Sequence, residues 1–87
     1  MSGPSSIPAR ELLAYNMRRL RAAYGWTQED LADKAQMDRS FLAHVERQAR
    51  NISLDSVERI ALALEVSIAE LFREMDVVAS GKGSGKR

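Results

Sequence analysis

A chain of 87 residues with no cysteine, one histidine, and 13 Lys and Arg against 12 Asp and Glu carries a net charge of +1. The length fits one domain, and the composition excludes a disulfide, a thiolate metal site and an imidazole cluster, so no metal or cofactor is expected. No apolar run is long enough to cross a bilayer and the start MSGPSSIPAR lacks an apolar signal region, which points to a soluble cytoplasmic protein.

Residues 1–8, made of Gly, Ser and two prolines among few apolar side chains, read as a flexible arm. A first helix is predicted from Ala9 to Tyr24, with Leu13, Met17 and Leu20 on one buried face and Gly25 as the stop. Thr27 caps a second helix to about Gln36. Its Glu29 and Asp30 lie at the positive end of the dipole, and Leu31 and Ala35 share an inner face. After a tight turn at Gln36 and Met37, Asp38 caps a third helix from Arg39 to about Gln48, in which Leu42 and Val45 turn inward. Ala49, Arg50, Asn51 and Ile52 form a loop. Ser53 caps a fourth helix to about Leu64, whose inner face is Leu54, Val57, Ile60, Ala61 and Leu64. Ser67 and Glu70 form a capping box for a fifth helix carrying Ile68, Leu71, Phe72 and Met75. The domain spans 9–76, and residues 77–87, ending GKGSGKR, form a flexible tail.

Two short helices joined by a tight turn make a helix-turn-helix, whose second helix can enter a DNA major groove. Its outer side carries Arg39, Ser40, Ala43, His44 and Arg47. Charge is distributed to suit this: Arg39, Arg47 and Arg50 face only Glu46 between 39 and 51, a local +2. Between 53 and 76 six acids oppose Arg59 and Arg73, a local −4, which repels phosphate. Arg39 offers a fork that fits guanine O6 and N7, the alternative being a solvated arginine. Ser40 and His44 lie one turn apart, but an exposed helix face supplies no orienting group, pocket or oxyanion donors, so a nucleophile and base are not inferred and no enzyme is expected. Glu29 and Asp30 answer the helix dipole and Asp33 is exposed, so they are not read as metal ligands.

The segment from Leu20 and its flanking arginines through Phe72 resembles the phage repressor and Cro-like helix-turn-helix family, also called XRE. The motifs are an Arg-rich first helix, Gly25, Thr27-Gln28-Glu29 with Leu31-Ala32, Asp38-Arg39-Ser40, Glu46-Arg47, Ser53-Leu54 and Leu64-Glu65-Val66-Ser67. The run DRSFLAHVERQARNIS is similar to restriction-modification controller proteins and to other single-domain regulators. Gln36 stands where the family usually has Gly or Asn, and Trp26 where it has Leu or Met. The resemblance implies an all-α, five-helix, lambda-repressor-like DNA-binding domain acting as a homodimer on double-stranded DNA. It implies that Arg39 and Ser40 meet bases or phosphate, that His44 points into the groove, that Gln28 meets the DNA backbone, and that Arg47, Arg50 and Asn51 form a phosphate clamp. Phe41 either covers the core edge or lies against a sugar or thymine methyl, and Ala43 touches a methyl or nothing. Arg21 and Glu46 match positions that pair the first and third helices. A chain this small has few inward positions left for Ile68, Leu71, Phe72 and Met75, so a dimer interface is expected to use some of them. The alternative function is a protein-binding module, an antitoxin or adaptor, with the same helices.

Overall fold

The computed structural model describes residues 7–48 and 51–74; most of the expected arm, the whole tail, Arg50 and Met75 lie outside them. Within the described residues there are five helices and no strand: α1 (Ala9–Tyr24), α2 (Gln28–Ala35), α3 (Arg39–Glu46), α4 (Leu54–Leu64) and α5 (Ile68–Leu71). The architecture is all-α, as the spacing of apolar residues predicts.

Local chemistry accounts for the boundaries. Pro8, expected in the arm, is instead the N-cap of α1; its carbonyl accepts from the Glu11 and Leu12 amides. Gly25 ends α1 at φ 75°, a conformation that costs glycine no Cβ clash. Thr27 Oγ1 accepts from the Asp30 amide at 3.1 Å, and the Asp30 carboxylate accepts from the Thr27 amide at 2.9 Å. Asp30 therefore closes a reciprocal capping box beyond the dipole role predicted for it. Asp38 occupies the N-cap of α3, but its side chain makes no capping bond, contrary to expectation. Only its backbone carbonyl is used, accepting from the Leu42 amide. Ser67 Oγ accepts from the Glu70 amide, whereas the return bond of the predicted capping box is missing. The Glu70 carboxylate turns to Arg19, 2.6 Å away, and to Arg73. These guanidiniums, Arg19 foremost, hold the Glu70 carboxyl below its ordinary range.

Gln36 caps the C-terminus of α2 at φ 57° and ψ 50°. This left-handed conformation favours glycine or asparagine, which explains why the family usually has them there. The Gln36 side chain is exposed. Gln36→Gly is therefore expected to raise stability by about 0.5 to 1 kcal/mol, as a higher denaturant midpoint at unchanged slope.

The core combines Leu13 and Met17 of α1, Leu31, Ala32 and Ala35 of α2, Leu42 and Val45 of α3, Val57, Ile60, Ala61 and Leu64 of α4, and Leu71 of α5. Burying one such leucine contributes about 1.5 to 3 kcal/mol. α2 packs on α3 and α4, while α1 packs on α3 and α5. Leu54, expected on the inner face of α4, is 84% exposed. Helical side chains lean toward the N-terminus, so at the first position of α4 the side chain leans off the end of the helix. Trp26 packs at the core edge, stacks on Tyr24 with ring centroids 4.4 Å apart and lies under the Lys34 ammonium. The Tyr24 hydroxyl donates to the Leu64 carbonyl, 2.7 Å away, at the C-terminus of α4.

One buried polar group ties the ends together. Asn16, 1% exposed, shares the two protons of Nδ2 among the carbonyls of Leu12, Leu71 and Arg73, and its Oδ1 accepts from Arg19. Two of those carbonyls belong to the last turn and exit of α5, groups a four-residue helix cannot satisfy itself.

Candidate nucleic-acid interface

α3 reaches the surface with one side committed to the core. Leu42 and Val45 are buried, whereas Arg39, Ser40 and Arg47 are exposed and Ala43 and His44 half-buried. The spacing of three and four places Arg39, Ser40, Ala43 and His44 on the outer side of an eight-residue helix, with Arg47 at its C-cap. Phe41 is half-buried and packs against the core edge. α3 ends at Glu46, two residues before the expected limit, because Gln48 reverses the chain at φ 63°. Arg18 Nη1 donates to the Glu46 carbonyl at 2.6 Å and caps that end.

An ion pair holds α3 to α1. Arg21 Nε donates to Glu46 Oε2 and Arg21 Nη2 to Glu46 Oε1, each at 3.0 Å, a two-pronged contact between α1 and α3. Only 2% of the Glu46 side chain is exposed. Gln28 Nε2 at the start of α2 donates to the same Oε1 at 3.0 Å, so one carboxylate joins three helices. An amide nitrogen has two protons, and this contact uses only one of those on Gln28.

The arginines of α1 differ from those on the outer side of α3, and on α4 Arg59 is likewise exposed with no side-chain partner among the described residues. Arg10, Arg18, Arg19 and Arg21 of α1 all bond within the chain. The Arg-rich first helix therefore works as a frame. The side chains of Arg39, at the first position of α3, and Arg47, just past its end, have no hydrogen bond or ion pair among the described residues. Asn51 is exposed and its Oδ1 accepts from Arg10 Nη2 at 2.7 Å, which fixes the amide so that Nδ2 remains to donate. No local pattern in the sequence marks Arg10 or Arg18: Arg10 meets a residue 41 positions away and Arg18 one 28 positions away.

The residues expected to form a dimer interface separate. Leu71 is wholly buried in the core of its own chain and is not available to a partner, a correction to the expectation. α5 covers the core so closely that its one inward leucine is used up within the fold. Phe72 is half-buried against the same core, Ile68 is 45% exposed, and Met75 lies outside the described residues. Leu62 on α4, 73% exposed, was not foreseen. Among the described residues no group of three or more His, Asp or Glu is placed to hold a metal ion, and no helix is long and apolar enough to cross a membrane.

A capped helix, a left-handed turn and a second helix with an outward polar face define a helix-turn-helix protein, and the chain belongs to that family, whose profile matches residues 17–71. Among its relatives, the Neisseria hypothetical transcription factor of Neisseria meningitidis serogroup B is 43% identical over 68 residues. Those residues make up 78% of this chain and 64% of that protein, so the chain spans slightly less than two thirds of its length. The restriction-modification controller protein C.AhdI from Aeromonas hydrophila has a solved structure similar at a TM-score of 0.69 and 40% identity, covering 72% of this chain and 96% of that one. C.Esp1396I bound to a 19 base pair DNA duplex is similar at a TM-score of 0.67 and 36% identity, covering 74% of this chain and 85% of that one.

Proposed function

We propose that this protein is a non-enzymatic, cytoplasmic transcription regulator that binds a near-palindromic double-stranded DNA operator as a homodimer, in the manner of a restriction-modification controller. The observation that carries the reading is the outer face of α3, where Arg39 and Arg47 have no partner within the described residues while four arginines of α1 do. The likeness to C.Esp1396I, whose solved structure holds a DNA duplex, supports it. In this reading Arg39, Ser40, Ala43 and His44 face the bases, and Gln28, Arg47, Arg50 and Asn51 clamp phosphates, which fix register without carrying sequence information. Phe41 supports the face from the core edge. A matched pair of readers needs two-fold symmetry, and exposed Ile68 and Leu62 on the last two helices supply apolar surface for it, with Phe72 beside them.

Selection of bound duplexes from a random pool tests the function: the selected site is expected to be a near-palindrome with half-site centres about 10 base pairs apart. Recovery of one asymmetric block, or of no motif, would contradict it. Ile68→Asp tests the interface. The variant is expected to sediment as a monomer at micromolar concentration and to bind operator much more weakly; a wild-type mass would overturn the assignment of Ile68.

A further inference from the structure

Nδ1 of His44 lies 2.6 Å from the carbonyl oxygen of Ser40, one turn earlier on α3. A carbonyl oxygen only accepts, so Nδ1 carries the proton in this contact. In the neutral ring Nε2 is then a bare acceptor. Nε2 has no partner among the described residues. A neutral His44 held this way has nothing to offer a phosphate, because phosphate oxygens accept as well.

Resting on the DNA-reading face proposed above, we propose that His44 is a specificity-determining residue whose Nε2 accepts from an exocyclic amino group of a base, adenine N6 or cytosine N4. Those amino groups are the only donors that bases present in the major groove; guanine and thymine present the keto acceptors O6 and O4 instead. Nε2 therefore favours A or C at its position and is repelled by G or T. Arg39 is the complement, since a guanidinium has five donors and no acceptor and so favours guanine. The two side chains stand five residues apart, roughly 7.5 Å along the helix axis, further than one base-pair step. α3 thus carries a donor reader near its start and an acceptor reader near its end, aimed at different base pairs.

The test is selection of bound sequences for the wild-type protein, His44→Ala and His44→Lys. The wild type is expected to favour A or C over G or T roughly two- to ten-fold at one symmetric pair of positions. His44→Ala is expected to lose that preference and keep the rest of the motif. His44→Lys, with donors only, is expected to reverse it toward G or T. A motif unchanged in His44→Ala, or an amino preference retained in His44→Lys, overturns this inference and leaves the DNA-reading function standing. Failure of the wild type to select any motif removes that function and this inference with it.

Discussion

Arg21→Ala is expected to lower the stability of the fold by about 3 to 5 kcal/mol, the largest effect of any single change on this surface. Truncation removes both donors from a carboxylate that is 98% shielded from solvent on its side chain and leaves Gln28 as its remaining side-chain partner. A buried carboxylate without a cation retains its desolvation cost and loses the compensating attraction. For a domain of this size each kcal/mol moves the midpoint by about 4 to 8 °C, so a fall of at least ~12 °C is the calorimetric signature. Arg21→Met with Glu46→Leu removes both charges together and should recover much of the loss, because apolar pairs of similar volume often replace buried ion pairs without penalty. Arg21→Met alone separates the causes, because it keeps the apolar stem and leaves the carboxylate without its cation: a loss close to that of Arg21→Ala supports the charge pairing, and near wild-type stability would show that packing of the stem matters instead. The same carboxylate holds α1, α2 and α3 together, so the single variant should also weaken DNA binding under conditions where it remains folded.

Arg39→Ala should weaken binding to the selected duplex by about 1 to 3 kcal/mol per half-site and flatten the preference at one symmetric pair of positions. The basis is an exposed guanidinium at the first position of α3 with no partner in the described chain, free to present its fork to guanine. Arg47 stands just past the C-terminus of the same helix and should meet backbone instead. Arg47→Ala is expected to weaken all duplexes by a similar factor and to reduce the salt slope by about one unit per lost phosphate contact, two per dimer, with sequence preference intact. Arg50→Ala is expected to behave in the same way. Binding curves on selected and scrambled duplexes at several salt concentrations separate the two kinds of loss. If Arg39→Ala acted uniformly across sequences, Arg39 would be a phosphate ligand; if no arginine on this face mattered, a protein-binding module would be the better account.

The helices and the outer face of α3 were legible in the sequence because their causes are local. Capping by Thr27, Ser53 and Ser67, the stop at Gly25, and apolar spacings of three and four depend on residues within one or two turns, and these the chain order encodes directly. The pairing of Arg21 with Glu46 came from the family resemblance, since no local spacing brings two residues 25 positions apart to 3.0 Å. Tertiary structure alone decided the rest. Asp38 keeps its side chain out of the cap, for which the structure shows no competing donor, and Glu70 turns to Arg19, 51 residues away, because a side-chain oxygen takes whichever donors packing brings to it. Asn16 serves carbonyls of α5 through contacts spanning 55 and 57 residues. Leu71 and Ile68 are equally apolar in sequence, yet one is in the core and the other half outside it. Periodicity gives the direction of a side chain around its own helix, whereas burial depends on where the neighbouring helices end, a property of how the five helices pack together.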